Sequence, residues 1–258
     1  MHVAFDGPGG DPVACHFPAL VGGALALVLE GRFLVREPSG AFVRLPSGFV
    51  SSARAEPVTL YRTPKLRYVG LLLHPAGTQA LLQSSPLSIP HQTADAADVF
   101  GHRWSVLLDR TYAEPSPQGC LALLFAFASA SLRGDIHSER ARRAFQLQQV
   151  ALGLANPQDA IGLSVRQFER VFTATFGLRP KLFQRVARVE ELLRDALITG
   201  KTDAEVALRH GYYDQSHMAR DLRTLAGAPL RTLVEAVRQN ESEHWALAVG
   251  TSSRHAGV

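Results

Sequence analysis

The chain has 258 residues, 46% of them hydrophobic, and a formal net charge of +4. That length suits about two domains, and the apolar share suits buried cores rather than a disordered chain. Two cysteines, Cys15 and Cys120, exclude a disulfide framework, and the apolar run Cys120 to Leu132 is shorter than the roughly 20 residues of a membrane helix. The N-terminus has no basic stretch and carries Asp6 and Asp11. No signal peptide is therefore expected, and a reducing cytoplasm is the expected setting. The charge is uneven. Residues 1–136 hold 10 Lys and Arg against 10 Asp and Glu, whereas residues 137–240 hold 16 against 11. A neutral front and a basic, Arg-rich back fit a sensor joined to a nucleic-acid binder.

Residues 20–90 carry short apolar runs cut by Gly, Pro and Ser, such as ALALVLEG, GRFLVREPSG and EPVTLYRTP. This pattern predicts a small β-sheet or barrel. Beyond Phe100 the period lengthens. RWSVLLDRTY and QGCLALLFAFASASL predict two helices, the second buried nearly all round, with Gly134 as its stop. The two cysteines read as small core hydrophobes. His16, His74, His91 and His102 are scattered, with no metal-ligand spacing, so solvated or hydrogen-bonded imidazoles are the expectation and no metal or cofactor is assigned. No nucleophile triad, phosphate loop or CxxC motif is present, and no enzyme is predicted.

The back half predicts two helix pairs. In the first, Asn156-Pro157 opens a short polar helix, and Ser164 caps the next. Val165, Phe168, Phe172 and Phe176 form its buried stripe, leaving Arg166, Glu169, Arg170 and Thr173 outside. Leu182 to Ile198 then reads as one amphipathic connecting helix. In the second pair, Thr202 and Glu205 make a capping box, Gly211 supplies the turn and Asp214 caps the following helix. Met218, Leu222 and Leu225 are its buried stripe, and Ser216, His217, Arg220, Arg223 and Thr224 face out. The second helices of the two pairs match at an offset of fifty residues: Arg170 with Arg220, Phe172 with Leu222, Gly177 with Gly227. A plain helical bundle accounts for the caps and stripes but not for this repeat. Two such helices on a stiff rod suit the successive major grooves of duplex DNA, roughly 34 Å apart.

The segments GYYDQSHMARDLRTLAG and LSVRQFERVFTATFGLRP resemble the DNA-binding domain of the AraC/XylS family of bacterial transcription regulators, and Arg188 lies where that family's linker helix carries an Arg. The resemblance implies two helix-turn-helix subdomains joined by a long helix over about residues 136–240. Its base-reading positions are Arg166, Glu169 and Arg170 in the first helix, and Gln215, Ser216, His217 and Arg220 in the second. Arg185, Arg223 and Arg231 are weaker candidates for phosphate contacts. More weakly, residues 69–82 are similar to a segment of the sensor domains of some members, which implies a cupin-like front domain over residues 1–135, followed by the back domain and a tail over 241–258.

The chain departs from the family pattern where Pro157 and Gln158 replace an apolar and a small residue, and where Gly227-Ala228-Pro229 shortens a Gly-x-x-Pro. Acidic Glu169 either accepts from a cytosine amino group or pairs with Arg166 or Arg170. The expected fold is thus α+β, and the expected function is ligand-responsive transcription regulation. The expected partners are double-stranded DNA, a small-molecule effector, RNA polymerase and a second copy of the chain, with no membrane. The rival reading is a protein-interaction regulator with a degraded first helix-turn-helix unit.

Overall fold

A computed structural model describes residues 1–7, 9–82, 93–133, 139–153, 161–239, 241 and 243–247. Its front half is built on alternation along the strands. β3 (Gly23–Glu30) is the central strand of a five-stranded antiparallel sheet in the order β1-β8-β3-β6-β9. The others are β1 (His2–Asp6), β6 (Gly48–Ser51), β8 (Lys65–Leu73) and β9 (Thr93–Asp95). β2 (Val13–Phe17), β4 (Phe33–Arg36), β5 (Phe42–Arg44) and β7 (Val58–Arg62) form a second antiparallel sheet in the order β2-β7-β4-β5.

Successive β3 side chains point to opposite faces. Leu25 and Leu27 pack on helices, while Ala26 and Val28 pack towards the second sheet with Cys15, Phe33 and Tyr68. This two-sided burial explains why β3 reads as an unbroken apolar run. The two sheets stay open, so the barrel alternative gives way to paired sheets.

On the outer face of the first sheet lie α1 (Pro75–Leu82), α2 (Ala96–Phe100), α3 (His102–Tyr112) and α4 (Pro117–Arg133). Trp104 anchors them, buried against Phe100 and Phe127. α3 and α4 match the two predicted helices, and Cys15 and Cys120 are buried, free thiols. α4 is not buried all round, since Phe125 on it is 62% exposed. Its unbroken apolar composition hides a one-sided packing. β1 and β2 precede the first predicted strand, and α1 forms over PAGTQALL, within the region where the apolar runs predict strands. Gly134 and His91 lie outside the described residues.

The back half contains α5 (Glu139–Ala151), α6 (Val165–Phe176), α7 (Pro180–Thr199), α8 (Ala204–Arg209), α9 (Gln215–Ala226) and α10 (Leu230–Arg238). One apolar cluster joins α5 to α10 through Leu147, Phe172, Phe183, Leu192, Leu222 and Leu233, and Ala19, Val21 and Ala53 of the front half enter it. The connecting helix α7 has 20 residues, so roughly 30 Å at 1.5 Å per residue. It begins at Pro180, two residues before the predicted start. The expected helix opening at Asn156-Pro157, including Gln158, lies outside the described residues. No described helix is long and apolar enough to cross a membrane.

Candidate nucleic-acid interface

α6 is held in place at both ends. The Ser164 side chain accepts from the Gln167 amide, and Gln167 Oε1 accepts from the Ser164 amide at 3.0 Å, completing a capping box. Gly177 closes the helix in a left-handed conformation at φ 74°, and Gly227 closes α9 likewise at φ 83°. The matched glycines are matched because both helices stop the same way. Phe168, Phe172 and Phe176 are buried, and Phe172 meets Phe183 of α7 edge-on at 5.2 Å. Val165 departs from the predicted stripe and is 64% exposed. It is the first helical residue, ahead of the turn that packs. Arg166, Glu169 and Arg170 are exposed on the opposite face. Glu169 makes no ion pair with either arginine among the described residues.

The second unit is tighter. The cap of α8 is Asp203, whose carboxylate accepts from the Val206 amide at 3.3 Å, and not the predicted Thr202. A carboxylate one residue later reaches the free amides and favours the positive helix start. Gly211 makes the turn at φ 70°, a region costly for a side chain. Asp214 caps α9, accepting from the His217 amide at 2.7 Å. Met218, Leu222 and Leu225 are buried as predicted. Gln215, Ser216, Arg220, Arg223 and Thr224 are exposed, as is Arg231 on α10. His217 is half-buried, its ring 5.2 Å from that of Tyr212. Arg220 Nε lies 3.4 Å from the Ser216 carbonyl, so the guanidinium runs back along its own helix, with no carboxylate partner among the described residues.

Arg185 is placed differently from the surface phosphate contact expected of it. Its Nε and Nη2 donate to one oxygen of Asp221 at 3.1 and 2.7 Å, with the Asp221 side chain 4% exposed. Asp221 was missed by the sequence reading, because a carboxylate inside an apolar stripe gives no periodic signal. Its second oxygen and the Tyr212 hydroxyl are both buried, and neither meets a further partner at full hydrogen-bond geometry among the described residues. Burial, and then the Asp221 charge, raise the Tyr212 phenol above its ordinary range. Arg188 sits over the Tyr212 ring at 5.2 Å. α7 thus grips both the turn and the outward helix of this unit.

The front half contains a cavity of about 680 Å³ between the sheets, lined by Ala24, Ala26, Phe33, Phe49, Tyr68 and Arg54 among others. The Arg54 amide donates to the Leu20 carbonyl at 2.8 Å, and its Nε to the Pro18 carbonyl at 3.0 Å. Glu190 of α7 accepts from the Val21 amide at 2.6 Å. Burial pushes the Glu190 carboxyl up to about 7, against the pull of the Val21 amide, Arg194 and Arg54. Among the described residues, no cluster of His, Cys, Asp and Glu is placed to hold a metal.

A family model described as a helix-turn-helix domain matches residues 159–236. No curated protein sequence matches the chain. Among solved structures, ToxT from Vibrio cholerae O395 bound to (E)-4-(8-methylnaphthalen-1-yl)but-3-enoic acid is similar at 8% identity, covering 91% of this chain and 98% of that one, with a TM-score of 0.47. An unsaturated fatty acid-bound wild-type ToxT from strain SCE256 is similar at 7% identity, covering 91% and 94%, with a TM-score of 0.44. The back half of this chain, with α6 and α9 each capped at both ends and joined through the long helix α7, contains a helix-turn-helix domain.

Proposed function

We propose that the chain is a sequence-specific, DNA-binding transcription regulator that reads adjacent major-groove segments through α6 and α9. The observation that carries this reading is the state of the outward arginines. Arg166, Arg170 and Arg220 are exposed on matched, capped helices, and none engages a carboxylate among the described residues, whereas Arg185 and Arg209 do. Free guanidiniums on the outward faces of such helices suit guanine edges and phosphates. Gln215, Ser216 and His217 occupy the first turn of α9, where side chains reach deepest into a groove. Glu169, unpaired, is assigned to a cytosine amino group. Arg223 and Arg231 are assigned to phosphates.

Gel-shift titration against genomic fragments tests the reading. A sequence-selective shift that weakens with salt supports it, and a shift equal on all fragments, or none, refutes it.

The reading extends to an effector. A volume of about 680 Å³ falls within the range of small-molecule sites, and apolar walls beside Arg54 suit an apolar molecule with one anionic group. A homodimer is proposed through α3 and α4, where Val106, Tyr112 and Phe125 are exposed. RNA polymerase is the candidate protein partner, and the cytoplasm is the compartment that reading requires. Domain limits near residues 135 and 240 complete it, and no catalysis is assigned.

A further inference from the structure

The chain does not leave the front half behind after α10. Trp245, 8% exposed, lies among front-half aromatics, edge-on to Phe17 at 5.4 Å, Tyr68 at 5.3 Å and Phe5 at 6.1 Å. Its indole N–H points to the Cys15 sulfur at 3.3 Å. Beside it, the His16 amide donates to the Glu243 carbonyl at 2.8 Å. The His16 ring stands 3.5 Å from the Glu243 carboxylate and 5.2 Å, centre to centre, from the His244 ring. Two residues on, Leu247 is buried in the helical cluster instead. Residues 243–247 therefore hold both halves.

Trp245 also has a special position relative to empty space. It lines the large cavity, and it lines a second cavity of about 160 Å³ bounded on its far side by Glu190, Leu193, Arg194 and Leu197 of α7. Phe17, Leu20, Arg54, Tyr68 and Trp245 border both cavities, and the second is bordered by the connecting helix as well. An indole bordering a void lacks contacts on that side, and an occupant of the void restores them.

We infer that Trp245 is a latch that docks the segment following the helix-turn-helix domain onto the wall of the front cavity, and that a molecule filling the cavity tightens this latch. The second part rests on the effector reading above. Because the coupling is reciprocal, whatever loosens the latch weakens the cavity's grip on its occupant by the same factor.

The test uses the full-length chain and 1-anilinonaphthalene-8-sulfonate, an apolar aromatic anion whose emission rises when it is buried. Hydrogen exchange of residues 243–247 is followed with and without the probe at saturation. The expected result is exchange slowed at least about fivefold by the probe, with Trp245→Ala removing that slowing and weakening probe affinity by a similar factor. Trp245→Phe, which keeps an aromatic ring but loses the N–H, is expected to fall between, and it serves if the alanine variant does not fold. Ala24→Leu, which narrows the cavity, is expected to weaken the probe. Probe binding that Ala24→Leu abolishes but that leaves exchange at residues 243–247 unchanged overturns the latch alone. Absent binding, or binding indifferent to Ala24→Leu, overturns the latch together with the effector reading.

Discussion

Arg185 and Asp221 join the connecting helix to the outward helix of the second unit through two hydrogen bonds to a single carboxylate oxygen. The pair is lopsided: the Arg185 side chain is 44% exposed and that of Asp221 is 4%. Removing the arginine strands a buried carboxylate, whereas removing the carboxylate returns a half-exposed guanidinium to water. Arg185→Met is therefore expected to cost about 3 kcal/mol and Asp221→Leu about 1 kcal/mol or less. The double variant is expected to recover most of the stability lost in Arg185→Met. Urea unfolding of the three variants checks the order, and equal losses from both single changes contradict it.

The exposed arginines separate by role. Arg220→Ala is expected to lose about 1–3 kcal/mol of discrimination between a selected site and its point variants. Arg223→Ala and Arg231→Ala are expected to weaken all sequences alike and to lower the salt slope by about one. Titrations of each variant at several salt concentrations distinguish the two patterns. An unchanged preference in Arg220→Ala removes that residue from base reading.

Glu190 makes the junction of the two halves sensitive to pH. Its folded value of about 7 stands above the usual 4.5, so the folded chain binds the extra proton between those limits. Stability therefore falls as pH rises from about 4.5 to 7, by an amount on the order of 2 kcal/mol once partial exposure is allowed for. Glu190→Gln is expected to flatten that window. A melting profile over pH 4–8 for both proteins measures it, and identical slopes dismiss the assignment.

The phenylalanine stripe of α6 supports the first unit. Phe172 is fully buried between Phe168, Phe176 and Phe183. Phe172→Ala is expected to destabilise by about 3–5 kcal/mol. Thermal unfolding reads this directly, and a loss below about 1 kcal/mol means that the first unit is loosely packed.

Much of the back half was legible in sequence because its signals are local. Ser164, Asp214, Gly177 and Gly227 act within one turn of where they stand, and stripes such as Met218, Leu222 and Leu225 need only helical periodicity. The front half was harder. β3 is apolar on both faces and shows no alternation, and α1 follows β8 with little to mark the change. Contacts between distant segments carried no sequence signal at all. Asp221 reads as a solvated charge until Arg185 is placed beside it, and Trp245 reads as tail until Cys15 and Tyr68 surround it. Asp203 displaced Thr202 as a cap because two adjacent residues both qualify chemically and only backbone geometry chooses between them.

Dimethyl sulfate footprinting of a genome-selected duplex bound by the full-length chain, which reads guanine N7 in the major groove, probes most directly whether α6 and α9 read DNA together. The account predicts two protected major-groove segments about one helical turn apart, one fading in Arg170→Ala and the other in Arg220→Ala. A single protected segment, or two segments that both variants leave intact, contradicts it.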